Sequence, residues 1–566
     1  MSAFKPNMPA IAFPCLAAVL AFGIGYIHHQ WFFPFYFHGD AATMQVLGTA
    51  ILDEGSLLPK DFNYGNQLIF LRSSPFIAFA LLVGFAGYEA FIIGSSLSIA
   101  FWGVILSFFL SVHFRSQAKG VLFSILLLIP LGAWDIDYVL GQQSHLSNAV
   151  LALGFVVLVC RWLEDKNRLS LLLGGVCLFL IAAESPIRGL LVLIPVFVAI
   201  ALAAKKKSLF VAAFCVPATF LLAYVSNKLL IKVYPISLDY FNKVVLTPWN
   251  MLLPQLKVTS RDALLTICNW EAVSRGELSF FGFVAYTSGR LLFFSFVLFA
   301  LWGVAKLVWA SYRRVSGKFG ACEEPEGGRD NFVLMAATLG MIVGASAVTV
   351  LNPNSSRHFL WAVFLMKFSF FVAIYQVAGR RGRLPGAFIL SLTLFLSAWF
   401  VDLAVRNWSF QSARIVLDVE EPLFKSEIPY VDVMRSHREL NSSAAVHEIE
   451  KYAAESGIRR IYGTNFWRMM PFNTLLEDVV ASNLVSRKNG DIEVSGWLDR
   501  PSWACAEGEV LYYLKNDPTD RAIKEKLKPA GGIAVHDGDG YSIWRGPRVW
   551  KIPPTVKCGN GSAAMH

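Results

Sequence analysis

The stretch LSLLLGGVCLFLIAAESPIRGLLVLIPVFVAIALAA, residues 169–204, decides the fold. Two apolar runs meet at ESPIR, and each run has about the length that a helix needs to cross a bilayer. Basic residues stand just outside both ends, with Lys166 and Arg168 before the first run and lysines 205–207 after the second. Because basic residues favour cytoplasmic loops, the pattern predicts a membrane hairpin whose polar tip, residues 184–188, lies on the opposite side.

The same pattern extends over the first 405 residues, which carry 29 basic and 19 acidic residues. The whole chain is 55% hydrophobic and only 16% charged, whereas soluble proteins usually have about 25% charged residues. A further apolar piece at residues 73–88 is predicted to be re-entrant or interfacial, because a full crossing there would put the later basic clusters outside. We predict a mainly α, polytopic transmembrane bundle of about eleven spans, at residues 10–31, 94–113, 119–138, 145–162, 169–183, 186–204, 208–228, 289–310, 332–351, 358–378 and 384–404.

The last 161 residues have the composition of a soluble domain, with 21 basic and 21 acidic residues. We therefore divide the chain into a transmembrane module, 1–405, and a small extracytoplasmic α/β domain, 406–566. Asp517-Pro518 has the chemistry of a helix start, and Gly457 is expected to end a helix at 443–456. The predicted strands are 459–463, 509–514, 532–535 and 541–544. Whether Cys505 and Cys558, the two cysteines of this domain, form a disulfide is left open.

Ionisable residues at membrane depth are costly and usually functional, and in this topology they collect on the outer face. The first outer segment opens with FHGDA, which contains His38 and Asp40. Gly39 permits a tight turn that presents Asp40 towards the membrane surface. A carboxylate in this position suits a general base or a ligand of a divalent metal, and an N-cap of a helix beginning near residue 42 is the structural alternative.

Three further outer loops supply candidate binding residues. The pair of acids in the second loop suits a metal or a polar substrate, although a solvated loop has the same pattern. Arginine recognises phosphate in a bidentate manner, so the third and fourth loops are suited to bind a lipid phosphate. The alternative for the third loop is a structural ion pair, and the alternative for the fourth is snorkelling of the side chains to lipid headgroups. The candidates are Asp135, Asp137 and His145 in the second loop, Glu184 and Arg188 in the third, and Arg357 and His358 in the fourth.

These features together resemble the GT-C class of membrane glycosyltransferases. Asp40 matches the catalytic carboxylate of the first loop in that class, Asp135 and Asp137 match its second acidic position more loosely, and Arg357-His358 resemble the Arg-aromatic pair that opens a late helix. The resemblance implies an inverting transfer of a sugar from a polyprenyl-phosphate carrier to a glycan, lipid or protein acceptor outside the cytoplasm. The compact loops and the lack of luminal retention signals predict a multi-pass protein of a bacterial inner membrane, with the carboxyl-terminal domain in the periplasm. Arg72-Ser73-Ser74-Pro75 stands where related aminoarabinose and mannose transferases have a Glu-Lys-Pro-Pro-type element.

Two other functions fit the composition. A transporter or flippase of a lipid-linked or anionic substrate needs ionisable groups near the midplane, and Lys367 is the one residue found there. An inactive assembly protein on the same scaffold is the other alternative. No phosphate-binding loop, nucleophile elbow or zinc motif is present, and no nucleic-acid partner is indicated. The sequence indicates no certain cofactor, with a divalent metal left open.

Overall fold

The computed structural model describes most of residues 11–256, 328–369 and 444–558. Within these ranges the described residues exclude 34–36, 66, 131–134, 204–205, 235, 237–246, 352–360, 362–363, 366, 488, 516, 539, 554–555 and 557. The described helices in the first part of the chain are α1 (Ala12–Ile27), α2 (Gly39–Glu54), α3 (Ser74–Leu82), α4 (Gly87–Phe114), α5 (Gln117–Leu128), α6 (Leu146–Asp165), α7 (Arg168–Glu184), α8 (Pro186–Ala203), α9 (Lys206–Leu230) and α10 (Gly328–Leu351).

Four of the described helices are long and apolar enough to cross a membrane: Ala12–Gln30, Gly87–Phe114, Leu146–Asp165 and Ser208–Leu230. Shorter apolar helices lie at Gln117–Leu128, Pro186–Ala201 and Ala336–Val348. The chain therefore has the helices of a membrane protein, although the number of eleven spans stays a prediction. The predicted spans 289–310 and 384–404, and most of 358–378, lie outside the described residues.

Two predicted segments differ from the helices that form. The span predicted at 119–138 ends as a helix at Leu128, because Pro130 disfavours helical conformation in the residue before it. Residues 73–88 contain α3 and the first two residues of α4, and the nine residues of α3 extend about 14 Å at the helical rise of 1.5 Å per residue. A helix of this length is too short to cross the hydrocarbon core, as the interfacial prediction requires.

The described chain forms two compact units. One contains the described parts of residues 1–27, 98–230 and 243–421, and the other contains those of 28–97, 231–242 and 422–566. Residues 28–97, between the first two long apolar helices, thus belong with the carboxyl-terminal part of the chain. The predicted boundary between residues 405 and 406 lies outside the described residues and stays a prediction.

The carboxyl-terminal part of the chain is a mixed α/β fold, as predicted. Its helices are α11 (Ala444–Ser456), α12 (Phe466–Met469), α13 (Phe472–Leu475) and α14 (Pro518–Leu527). Its strands are β1 (Arg460–Thr464), β2 (Val480–Ser486), β3 (Ile492–Val494), β4 (Glu509–Leu514), β5 (Ile533–Gly538) and β6 (Tyr541–Pro547). The sheet order is β3-β2-β1-β4-β6-β5, with β1 parallel to both β2 and β4 and the remaining pairs antiparallel.

Local chemistry explains the ends of these elements. Asp517 caps α14 by accepting a hydrogen bond from the Asp520 amide at 2.9 Å, and Gly457, with φ +68°, ends α11 in the left-handed region that favours glycine. Cys505 and Cys558 are joined in a disulfide. The core of the sheet contains the buried side chains of Tyr462, Leu484, Val510, Tyr512, Ile523, Leu527 and Trp550.

Candidate functional site

Asp40 lies in the first turn of α2. The helix begins at Gly39, three residues before the predicted start, and its N-cap is His38 rather than Asp40. His38 Nδ1 accepts a hydrogen bond from the Asp40 amide at 3.1 Å, which satisfies one of the amides that a helix start leaves without a partner. The Asp40 side chain is half-buried. The first turn of a helix stabilises negative charge, and the carboxylate is the form that accepts a proton.

The start of α2 packs against α12 within the same unit. A β-carbon at residue 39 would lie only 2.9 Å from Cε1 of Phe466, so glycine allows this close approach. The His38 ring meets the Trp467 ring edge-on, with centroids 5.4 Å apart. His38, predicted to bind substrate, therefore caps α2 and fixes the turn that carries Asp40.

The last turn of α2 and the segment that follows it are bonded to the loop before β4 by charged and polar groups. Arg500 donates to Asp53 at 2.5 Å and to Asp61 at 2.9 Å, and Asp61 also accepts hydrogen bonds from the amide and hydroxyl of Ser502. The side-chain Nδ2 of Asn63 donates to the Asp499 carboxylate at 2.7 Å, and the backbone amide of Asn63 donates to the Asp499 carbonyl. We call Asp53, Asp61, Asn63, Asp499 and Arg500 the clamp.

Burial shapes the acid–base chemistry of the clamp. Asp499 is completely buried, and this burial raises its pKa to about 6 despite the hydrogen bond from Asn63. Burial by itself lowers the pKa of the Arg500 guanidinium, but the hydrogen bonds and charges of Asp53 and Asp61 outweigh it and raise the pKa above its ordinary value. The clamp therefore holds a charged guanidinium next to a carboxyl group that is easily protonated.

A second group of predicted residues forms a buried polar cluster in the other unit. Ser185 separates α7 from α8, so that Glu184 ends one helix and Arg188 lies in the first turn of the next. Both are buried, with relative exposures of 0% and 6%. Glu184 Oε2 accepts a hydrogen bond from Asn148 Nδ2 at 3.2 Å, and Arg188 Nη1 donates to the Ser144 carbonyl at 3.3 Å.

Trp361 links two of the predicted residues in this cluster. Its indole Nε1 donates to His145 Nδ1 at 2.9 Å, and the Arg188 guanidinium lies 5.8 Å from the centroid of its ring. Because Nδ1 accepts this bond, a neutral His145 carries its proton on Nε2. The cluster thus combines a guanidinium and an imidazole N–H with the Glu184 carboxylate, to which the Asn148 amide already donates. Of these groups, the guanidinium is the one best suited to bind anionic oxygen.

The other predicted residues have different outcomes. Asp137 belongs to a π-helical turn, Asp135–Gly141, and its Oδ1 accepts a hydrogen bond from Gln142 at 3.3 Å. Only the backbone of Asp135 is described, whereas Arg357 and His358 lie outside the described residues. Among the residues that the structure describes, there is no group of three or more His, Cys, Asp or Glu side chains arranged to hold a metal ion. The question of a divalent metal stays open.

Sequence reasoning did not identify Asn148 or Trp361 as members of the cluster. Asn148 is a buried amide inside the predicted span 145–162, and an uncharged polar residue within an apolar run was a usable signal. Trp361 lies one helical turn after the predicted pair at 357–358, but a tryptophan in a membrane helix has many structural reasons to be there. Its role depends on contacts with residues that are distant in the chain.

Comparison of the chain with protein-family models finds no match, and comparison with curated proteins finds none either.

Proposed function

We propose that the chain is a GT-C-like membrane glycosyltransferase that moves a sugar from a polyprenyl-phosphate carrier to an acceptor outside the cytoplasm. The observation that carries the proposal is the packing of the Asp40 helix start against the carboxyl-terminal domain. This packing supports a topology in which the proposed general base and the carboxyl-terminal domain lie on the same side of the membrane. The disulfide of that domain supports an oxidising compartment, which in a bacterium is the periplasm.

In the proposed reaction Asp40 accepts the proton of an acceptor hydroxyl while the hydroxyl oxygen attacks the anomeric carbon of the donor sugar. The bond from that carbon to the phosphate oxygen breaks, and the lipid phosphate leaves with the electron pair. A single displacement of this kind inverts the anomeric centre. The sequence-based expectation that Arg188 or Arg357 holds the donor phosphate is kept as a prediction; within its own unit, Arg188 lies in one polar cluster with His145 and Glu184.

Lys367, the residue that favoured a transporter, has a structural explanation. Its buried ammonium lies 3.4 Å from the carbonyl of Ile129, the residue that follows the end of α5. A cation at the carboxyl end of a helix stabilises the carbonyls that have no partner in the helix. We therefore keep glycosyl transfer as the proposed function, and the experiment below distinguishes it from transport.

The test uses the full chain in lipid nanodiscs with a panel of radiolabelled polyprenyl-phosphate sugars and a membrane extract as acceptor source. We expect Asp40→Asn to lower the transfer rate by about 10²–10⁴-fold, the usual contribution of a general base. Glu89→Gln is the matched control, because Glu89 is also an acid in the first turn of a helix but is exposed; it should leave transfer unchanged. Full transfer by Asp40→Asn, or movement of an intact donor across proteoliposomes without its consumption, would refute the proposal.

A further inference from the structure

The sheet of the carboxyl-terminal domain has a topological switch point between β1 and β4. These neighbouring strands are parallel, but the chain leaves β1 towards β2 on one side and leaves β4 towards β5, beyond β6, on the other. In open α/β sheets, ligands bind in the crevice outside the carboxyl ends of the strands at such a point. The relevant edge consists of the residues that follow Thr464 and Leu514.

Hydrogen bonds hold the two sides of this edge together. The Thr464 hydroxyl oxygen, at the end of β1, lies 2.9 Å from an Asp517 oxygen and 2.5 Å from an Asp520 oxygen, and its single proton is donated to one of these carboxylates at a time. Asp520 also accepts a hydrogen bond from the Lys515 amide at 2.8 Å. Burial raises the pKa of Asp520 to about 6, and the backbone amide of Asp520 helps to lower the pKa of Asp517. The base of the edge is therefore a bonded pair of carboxylates, both mostly ionised in neutral solution.

The residues directly after β1 supply binding groups above this base. Asn465 is exposed and has φ +74°, a conformation that turns the chain out of the strand. Trp467 and Arg468 are half-buried. Arg468 has a buried Nη1 without a hydrogen-bond partner among the described residues, and its charge helps to lower the pKa of Asp517 across the edge.

This edge is also where the proposed catalytic helix lies. Trp467 contacts the ring of His38, and Phe466 contacts Gly39, the residue before Asp40. A ligand seated over Trp467 and Arg468 would therefore be close to the start of α2. Arg468 faces two carboxylates, Asp517 and Asp520, so these groups carry no excess of positive charge, which favours a neutral polyhydroxyl ligand over a polyanion.

We propose that this edge, formed by Asn465, Trp467 and Arg468, binds a neutral glycan as the acceptor of the transfer reaction. An indole ring offers an apolar face to the C–H face of a sugar ring, while an amide and a guanidinium hydrogen-bond to hydroxyl groups. The inference deepens the proposed function and rests on it, since it selects a glycan from the three classes of acceptor. The binding itself needs neither donor nor turnover.

The test is saturation-transfer NMR on the full chain in nanodiscs without donor, using maltotriose, cellotriose, chitotriose and mannotriose as probes, with inorganic phosphate titrated as a competitor. We expect a signal from at least one trisaccharide, and about tenfold weaker binding after Trp467→Leu or Arg468→Gln, as for truncation of a central aromatic or arginine contact. Trp467→Phe keeps an aromatic face and should retain most of the affinity.

The chain offers a matched control in Trp544-Arg545, the same dipeptide on β6. These residues pair with Tyr512 and Leu511 inside the sheet rather than at its carboxyl edge, so Trp544→Leu and Arg545→Gln should leave glycan binding unchanged. Equal losses in the two pairs, no signal from any trisaccharide, or binding competed away by phosphate would overturn the inference. Because Asp40→Asn should abolish transfer but not this signal, failure of the catalytic proposal remains distinguishable from failure of the binding site.

Discussion

Replacing Arg500 by Gln tests whether residues 53–63 are held to the carboxyl-terminal domain by charge. The Arg500 side chain is only 10% exposed, whereas its partners Asp53 and Asp61 are 48% and 25% exposed. Breaking a fully buried pair costs about 3–5 kcal/mol, and breaking an exposed pair costs about 0–1 kcal/mol. With one buried and two partly exposed groups we expect about 2 kcal/mol, which corresponds to an opening equilibrium about thirtyfold larger.

Hydrogen exchange measures this opening directly. The amides of Asn63 and Ser502 donate across the clamp, so their exchange rates report its local opening. In the full chain in nanodiscs, followed by mass spectrometry, Arg500→Gln should speed exchange in peptides covering these two residues by up to about thirtyfold. Peptides from α14, on another part of the domain, should keep their protection.

Arg487 provides the control, because it also pairs with a carboxylate of this domain, Glu493 at 2.8 Å, but is 49% exposed. Arg487→Gln should change exchange at Asn63 and Ser502 by less than about twofold, as expected for an exposed pair. If the two variants gave equal exchange at these amides, the bonds of Arg500 would not hold the segment, and the assignment of the clamp would be wrong.

Two further predictions concern the pKa of Asp499 and the contact of Trp361. Burial raises the pKa of Asp499 to about 6 from an ordinary 3.8, so its protonated form stabilises the fold below pH 4, and about 3 kcal/mol of folding stability is lost as pH rises from 4 through 6. Asp499→Asn should remove this part of the pH dependence of thermal unfolding. An unchanged pH profile in this variant would contradict the prediction. Trp361→Phe loses the hydrogen bond to His145 Nδ1 and should raise the donor KM by about two- to tenfold with little change in kcat. Trp361→Leu also loses the ring beside Arg188 and should raise the donor KM further. Equal KM values for the two variants and the parent in steady-state transfer assays would exclude this role of Trp361.

Local chemistry in the carboxyl-terminal domain was sufficient to predict several elements. The strand at 509–514, the helix start at Asp517-Pro518 and the helix end at Gly457 are confirmed, since each depends on residues close in the chain. Strand β2 was not predicted, because it buries polar residues: Ser482 and Asn483 are 0% and 5% exposed. A central strand that places a hydroxyl and an amide in the core lacks the alternating pattern by which strands are recognised.

Part of the candidate site could likewise be predicted from local sequence, and part could not. Residues 184–188 were recognisable because charges between two apolar helices are costly, and the structure places Glu184 and Arg188 in one buried polar cluster with His145. The packing of Asp40 beside the carboxyl-terminal domain was not predictable. Arg500 and Asp53 are separated by 447 positions, and no local pattern in a single sequence relates two residues so far apart.

This long-range contact also constrains the topology independently of the basic residues. Residues 53–63 follow the first long apolar helix, and Arg500 follows all of the predicted spans, yet they are directly bonded. A chain that spans a membrane must therefore cross it an even number of times between them. The ten spans predicted after the first satisfy this condition, whereas a further full crossing at residues 73–88 would make the number odd. The short helix α3 and the clamp thus support the prediction that residues 73–88 do not cross the membrane fully. The positive charges of the loops predicted the same from the sequence.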